Sequence, residues 1–162
     1  MFIDKLFSER EQRQIRQSVR LVTVKDADIA MVLGHEVTFF EIRSTKAKQF
    51  GFTMRLDDGK LTSCGDEPYQ PHELRYAEDS KWLLHEAFCL DAQKDEYRPH
   101  EKHHSTVKDA CEVAQTLGIQ NLVLYHTEDS NLSSRSARYR KEGSKYFTGK
   151  LFVPDDLFQS KL

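Results

Sequence analysis

Ser105-Thr106-Val107-Lys108-Asp109-Ala110-Cys111-Glu112-Val113-Ala114-Gln115-Thr116-Leu117-Gly118 reads as a helix with both ends specified. Val107, Ala110, Cys111, Ala114 and Leu117 recur at helical spacing and make one apolar face. Thr106 and Asp109 stand at capping-box spacing, and Gly118 supplies the stop. Beyond the glycine, Leu122-Val123-Leu124-Tyr125 is a continuous apolar run of the kind a doubly covered strand needs, and His126 follows it directly. A helix feeding such a strand implies a layered domain, so the flanks should supply further strands and helices.

They do. C-terminal to this unit, residues 135–147 read as a second helix, rich in Arg and Lys, and Leu151-Phe152-Val153 as a last strand before Pro154. On the N-terminal side, Lys81-Trp82-Leu83-Leu84 is a short apolar strand. Earlier still the pattern is a meander. Leu21–Val24, Ile29–Leu33 and Val37–Ile42 are short apolar or alternating runs, and Phe50, Phe52 and Met54 alternate with small or polar residues. Asp57-Asp58-Gly59-Lys60 is a hairpin turn, from which Leu61 to Cys64 return. At the start, Ile3, Leu6 and Phe7 have helical spacing, and Ser8 with Glu11 caps a largely solvated helix reaching about Val19. The expected fold is α+β: a β-meander followed by β-α-β-α-β, with residues 1–162 forming one domain or half-domain.

Composition narrows the classes. The 162 residues are 38 % hydrophobic and 31 % charged, which describes a soluble globular chain. Twenty-four basic against 26 acidic residues give a formal charge of −2, so no global field draws the chain to nucleic acid or an anionic membrane. No apolar run approaches a membrane span, and the charges in Met1–Glu11 argue against a signal peptide. Cys64, Cys89 and Cys111 form neither a disulfide framework nor a CxxC site, which fits a reducing cytoplasm.

Polar residues at strand ends are the candidate site. Asp66 follows the Leu61–Cys64 strand, His85 and Glu86 follow Trp82-Leu83-Leu84, and His126 follows Leu122–Tyr125. If these strands run parallel, the groups share the edge where layered α/β sheets bind ligands. Asp and His together suit zinc or a similar ion; the plainer alternative is that each caps its strand. His100, His103 and His104 form a second cluster. His104 precedes a capped helix start, where it could pass a proton to a leaving oxygen. Residues 135–150 carry six cations against one acid, and residues 66–79 five acids against one arginine. The first is a solvated face or a phosphate-tracking patch.

Gly65-Asp66, Leu84-His85-Glu86-Ala87, His104-Ser105-Thr106, Leu122-Val123-Leu124-Tyr125-His126 and Pro154-Asp155-Asp156-Leu157 occur in this order. Together they resemble the C-terminal half of the metallo-β-lactamase superfamily, most closely its ribonuclease Z-like branch, over residues 40–157. The resemblance implies half of an αββα sandwich holding zinc or manganese, with a phosphodiester or RNA as substrate. It implies that Asp66 and His126 are metal ligands, and that Glu86 and His104 assist proton delivery to the leaving oxygen. The departures are specific. The superfamily's His-x-His-x-Asp-His motif is absent, since His35 is the first histidine in the chain. No histidine stands between Arg43 and Thr45, where another ligand is expected, and Phe88 replaces a threonine. The ligand set is therefore incomplete, and the chain alone should be inactive. It would pair with a missing N-terminal half, or act as a non-catalytic module that self-associates. A rebuilt hydrolase site on His100, His103 and His126 is a further reading. Phe39, Phe40, Phe50, Phe52, Met54 and Trp82 are the expected apolar face left for a partner.

Overall fold

The computed structural model describes residues 7–130 and 132–159, apart from the Arg16 side chain. Ile3 and Leu6 lie outside them. Helix α1 (Glu9–Ser18) opens the described chain, with its Ser8–Glu11 capping box formed. Four antiparallel strands follow: β1 (Ile29–Val32), β2 (His35–Glu41), β3 (Phe50–Leu56) and β4 (Gly59–Ser63). A short helix α2 (Leu74–Ala77) leads to β5 (Trp82–Glu86), and α3 (Lys94–Tyr97) and α4 (Val107–Thr116) lead to β6 (Asn121–Tyr125). Helix α5 (Leu132–Gly143) leads to β7 (Lys150–Phe152). The seven strands form one mixed sheet in sequential order, and β4, β5, β6 and β7 run parallel.

The α+β expectation holds, with local differences. Leu21–Val24 is not a strand; Leu21 and Val22 are exposed and among the described residues no strand pairs with them, so alternation alone had no ladder to join. Helix α5 begins three residues before the expected start and ends at Gly143, where an added Cβ would lie 2.4 Å from Leu151. Helix α4 is as the sequence specifies, its Thr106 hydroxyl accepting from the Asp109 N–H at 3.2 Å.

The two sheet faces differ. On one, Leu83, Leu122 and Leu124 are fully buried beneath α4 and α5, along with Ala110, Cys111, Ala114 and Tyr139. Each such leucine is worth roughly 1.5–3 kcal/mol. The ladder register places Phe39, Phe52, Ser63, Leu84, Val123 and Phe152 in one row across the other face. Its five apolar members are only half-buried. The tail after β7 crosses part of this face and leaves a groove of about 310 Å³ lined by Trp82, Leu84, Val123, Phe152 and Phe158. Two of the residues expected on an open face do not fit. Phe40 points to the helix side, fully buried and stacked on Tyr76 at 4.4 Å, because it is one step out of register with Phe39. Trp82 lies on the open side but is 8 % exposed.

Candidate metal centre

Parallel pairing brings the ends of β4, β5 and β6 to one edge of the sheet. Strand β4 ends at Ser63, and Gly65 takes φ +75° to turn the chain so that Asp66 projects beyond the edge. An added Cβ at Gly65 would meet Ile42 at 2.9 Å, so a larger residue would shift this turn. Strand β6 ends at Tyr125, and His126 adopts a left-handed backbone, φ +52°. The Tyr125 hydroxyl donates to the Gly65 carbonyl, tying the two strand ends together. His126 Nε2 then lies 3.2 Å from Asp66 Oδ1.

Glu86 and His104 enter from β5 and from the turn before α4. Glu86 accepts the Ser105 N–H at 2.5 Å through Oε1, and its Oε2 lies 3.4 Å from His104 Nδ1. Burial pushes the Glu86 carboxyl up to about 7, against the opposing pull of Ser105; the nearby Asp66 charge adds a smaller upward push. Burial also lowers the His104 pKa, reinforced by Lys46 and His126. The His104 and His126 rings sit 4.8 Å apart, and Phe88 stacks on His104 at 5.5 Å. Phe88 thus forms an apolar wall for the imidazole.

Of the residues singled out from sequence, Asp66, His104 and His126 come together, with one donor atom each and all three within 4.8 Å of one another. One carboxylate and two imidazoles make a donor set that zinc or manganese accepts. Asp66 Oδ1, Glu86 Oε2 and His104 Nδ1 are buried without a hydrogen bond of good geometry, as expected of groups arranged around a cation. The donors present therefore fit a metal ion. His85 is not part of this group. Strand alternation turns it to the helix side, fully buried, where Nδ1 donates to the Glu86 carbonyl at 2.6 Å and Nε2 accepts the Tyr69 N–H at 3.2 Å. His100 is taken up by Asp109, 2.8 Å away, and His103 is the exposed left-handed end of a turn. A site built on His100, His103 and His126 is not assembled. Lys46, whose Nζ lies 3.3 Å from His104 Nε2, went unread in the sequence, where nothing marks a lysine in a polar loop.

No protein-family profile matches the chain. In sequence it is similar to ribonuclease Z of Lactiplantibacillus plantarum, 32 % identical over 96 residues, which cover 59 % of this chain and 30 % of that protein. It is also 34 % identical over 80 residues to ribonuclease Z of Halorubrum lacusprofundi, covering 49 % of this chain and 25 % of that protein. The chain thus spans less than a third of the length of these curated relatives. In structure it is similar to the metallo-β-lactamase fold protein YhfI from Bacillus subtilis, with TM-score 0.68, 15 % identity, and coverage of 88 % of this chain and 58 % of that one. It is also similar to the short form of human tRNase Z, with TM-score 0.56, 22 % identity, and coverage of 76 % and 40 %. The fold is that of the metallo-β-lactamases.

Proposed function

We propose that this metallo-β-lactamase fold, ribonuclease Z-like in sequence, is the C-terminal half of a metal-dependent phosphodiesterase. The observation that supports this reading is the convergence of Asp66, His104 and His126 at the parallel edge of the sheet, from three separate connections. Asp66 and His126 would hold zinc or manganese, which when bound supplies Lewis-acid stabilisation of a phosphoryl oxygen. Glu86 Oε2 lies 3.4 Å from His104 Nδ1, so the carboxyl faces that nitrogen and leaves Nε2 on the other side of the ring. A proton on Nε2 would pass to the leaving oxygen, and Glu86 would stabilise the ring that carries it. Phe88 keeps water from one face of the ring. A partner carrying His-x-His-x-Asp-His would complete the ligand set, with a phosphodiester or RNA as substrate. Three buried free thiols support a reducing, cytoplasmic setting. Among the described residues no helix is long and apolar enough to cross a membrane.

The test is hydrolysis of bis-p-nitrophenyl phosphate with added zinc or manganese. The chain alone is expected to give no turnover above metal-only controls. Addition of a polypeptide bearing His-x-His-x-Asp-His is expected to restore turnover, and Asp66→Ala to abolish the restored rate by 100-fold or more. Metal-dependent turnover by the chain alone, lost in Asp66→Ala, would overturn the claim of incompleteness.

The half-buried row Phe39, Phe52, Leu84, Val123 and Phe152 favours a second reading, a non-catalytic module that self-associates through this face. Light scattering at micromolar concentration is then expected to show a species larger than 18.9 kDa. A species of 18.9 kDa that binds no apolar dye would exclude this reading.

A further inference from the structure

The loop between β2 and β3 is fastened to the centre by its own side chains. Ser44 Oγ donates to Glu67 Oε1 at 2.5 Å and accepts the Lys46 N–H at 3.2 Å. Glu67 is buried and adjoins Asp66 in sequence. The loop is thereby anchored to the turn that carries Asp66, and Lys46 is directed inward. Its ammonium lies 3.3 Å from His104 Nε2, on one of the three residues of the cluster. An ammonium can only donate, so in this contact Nε2 presents its lone pair to Lys46, while Nδ1 lies on the Glu86 side of the ring, 3.4 Å from Oε2.

We propose that Lys46 is a tethered cation that lies against His104 at the edge of the Asp66–His104–His126 cluster and opposes binding of a metal ion there. The inference rests on the reading of Asp66 and His126 as the residues that hold a metal ion, with His104 beside them. A dication bound to the same donors must displace the ammonium or share the site with a like charge, and both weaken binding. In this state the lysine places its positive charge beside the cluster, 3.3 Å from His104 Nε2. Metal loading is thus coupled to movement of the 42–49 loop. A partner that draws this loop aside would raise metal affinity.

The experiment is titration of the full chain with zinc or manganese at neutral pH, followed by isothermal calorimetry and by competition with a chromophoric chelator. Lys46→Met is expected to bind at least ten-fold more tightly than the wild type. Lys46→Arg keeps the charge and should not reproduce the gain. Lys48→Met, which removes the Glu41 partner on the same loop, should leave affinity unchanged. The gain should vanish in Lys46→Met combined with Asp66→Ala. Lys46 is exposed, so folding should persist in these variants, and thermal denaturation verifies it. Equal affinities for the wild type and Lys46→Met, both weakened by Asp66→Ala, overturn the role of Lys46 and leave the donor cluster standing. Absence of binding in every variant overturns both.

Discussion

Replacing Glu73 by glutamine is expected to stabilise the protein by about 3 kcal/mol at pH 7 and by almost nothing near pH 4.5. Glu73 ends the turn before α2, is fully buried, and has no hydrogen bond of good geometry to either carboxyl oxygen. Burial pushes its pKa up to about 8, partly opposed by the Cys64 thiol and a backbone group. In the unfolded chain the same carboxyl ionises near 4.3. Folding must therefore take up a proton between these values. Because the folded pKa is raised, the contribution is fully present below the unfolded value and is lost as pH rises through the folded one. The slope is about 1.4 kcal/mol per pH unit from roughly pH 5 to 8. Glu86, raised to about 7, adds a second decline that ends one unit earlier. Melting curves from pH 5 to 8 test this. Glu73→Gln should remove its share of the slope and raise Tm at pH 7 by roughly 6–12 °C. Parallel pH profiles for the variant and the wild type would overturn it.

Gly51→Ala is expected to destabilise the sheet by about 3 kcal/mol, and Gly51→Val to prevent folding at 37 °C. Gly51 faces Phe40 across the β2–β3 ladder. A Cβ there would sit 2.5 Å from the Phe40 ring and 2.6 Å from the Ser63 carbonyl oxygen. Neither can yield at low cost. The ring is stacked on Tyr76, and the carbonyl belongs to the backbone of β4. The space a side chain would need is already filled by the aromatic ring, and this close fit secures β2 to β3. Urea denaturation measures the loss; a change below about 0.5 kcal/mol would show that the ladder can separate locally.

Some of this was legible without coordinates. Thr106, Asp109 and Gly118 specify α4 through local chemistry that tertiary packing did not override. Asp66 and His126 were legible because each lies just past the end of a strand-like run, and parallel strands deliver such positions to one edge. His85 shows where that reasoning fails: strand β5 runs two residues further than its apolar run, so alternation sends His85 to one face and Glu86 to the other. Leu21–Val24 has strand composition but no neighbour, and β formation depends on a pairing that local pattern does not contain. Lys46 and Glu73 were invisible for a related reason. A lysine in a polar loop and a glutamate after Pro71-His72 look solvated, and only their distant contacts, with His104 in one case and the core around Cys64 in the other, give them meaning.

Strands β4, β5 and β6 carry a consequence for how such a protein can change. The positions of Asp66 and His126 are set by hydrogen-bonded ladders and by the Tyr125–Gly65 tie, while most of the intervening chain only has to leave one strand and return at the next. Lys94, Asp95 and Glu96 of α3 are exposed and lie before the turn in which the Pro99 carbonyl accepts the His104 N–H at 2.9 Å. Doubling the length of a flexible connection costs only about 0.6 kcal/mol. Extra residues there would enlarge the surface beside the centre and leave its geometry intact. Connection and cluster are thus separable in this architecture: the loops can lengthen and change composition while the ladders keep Asp66 and His126 in register.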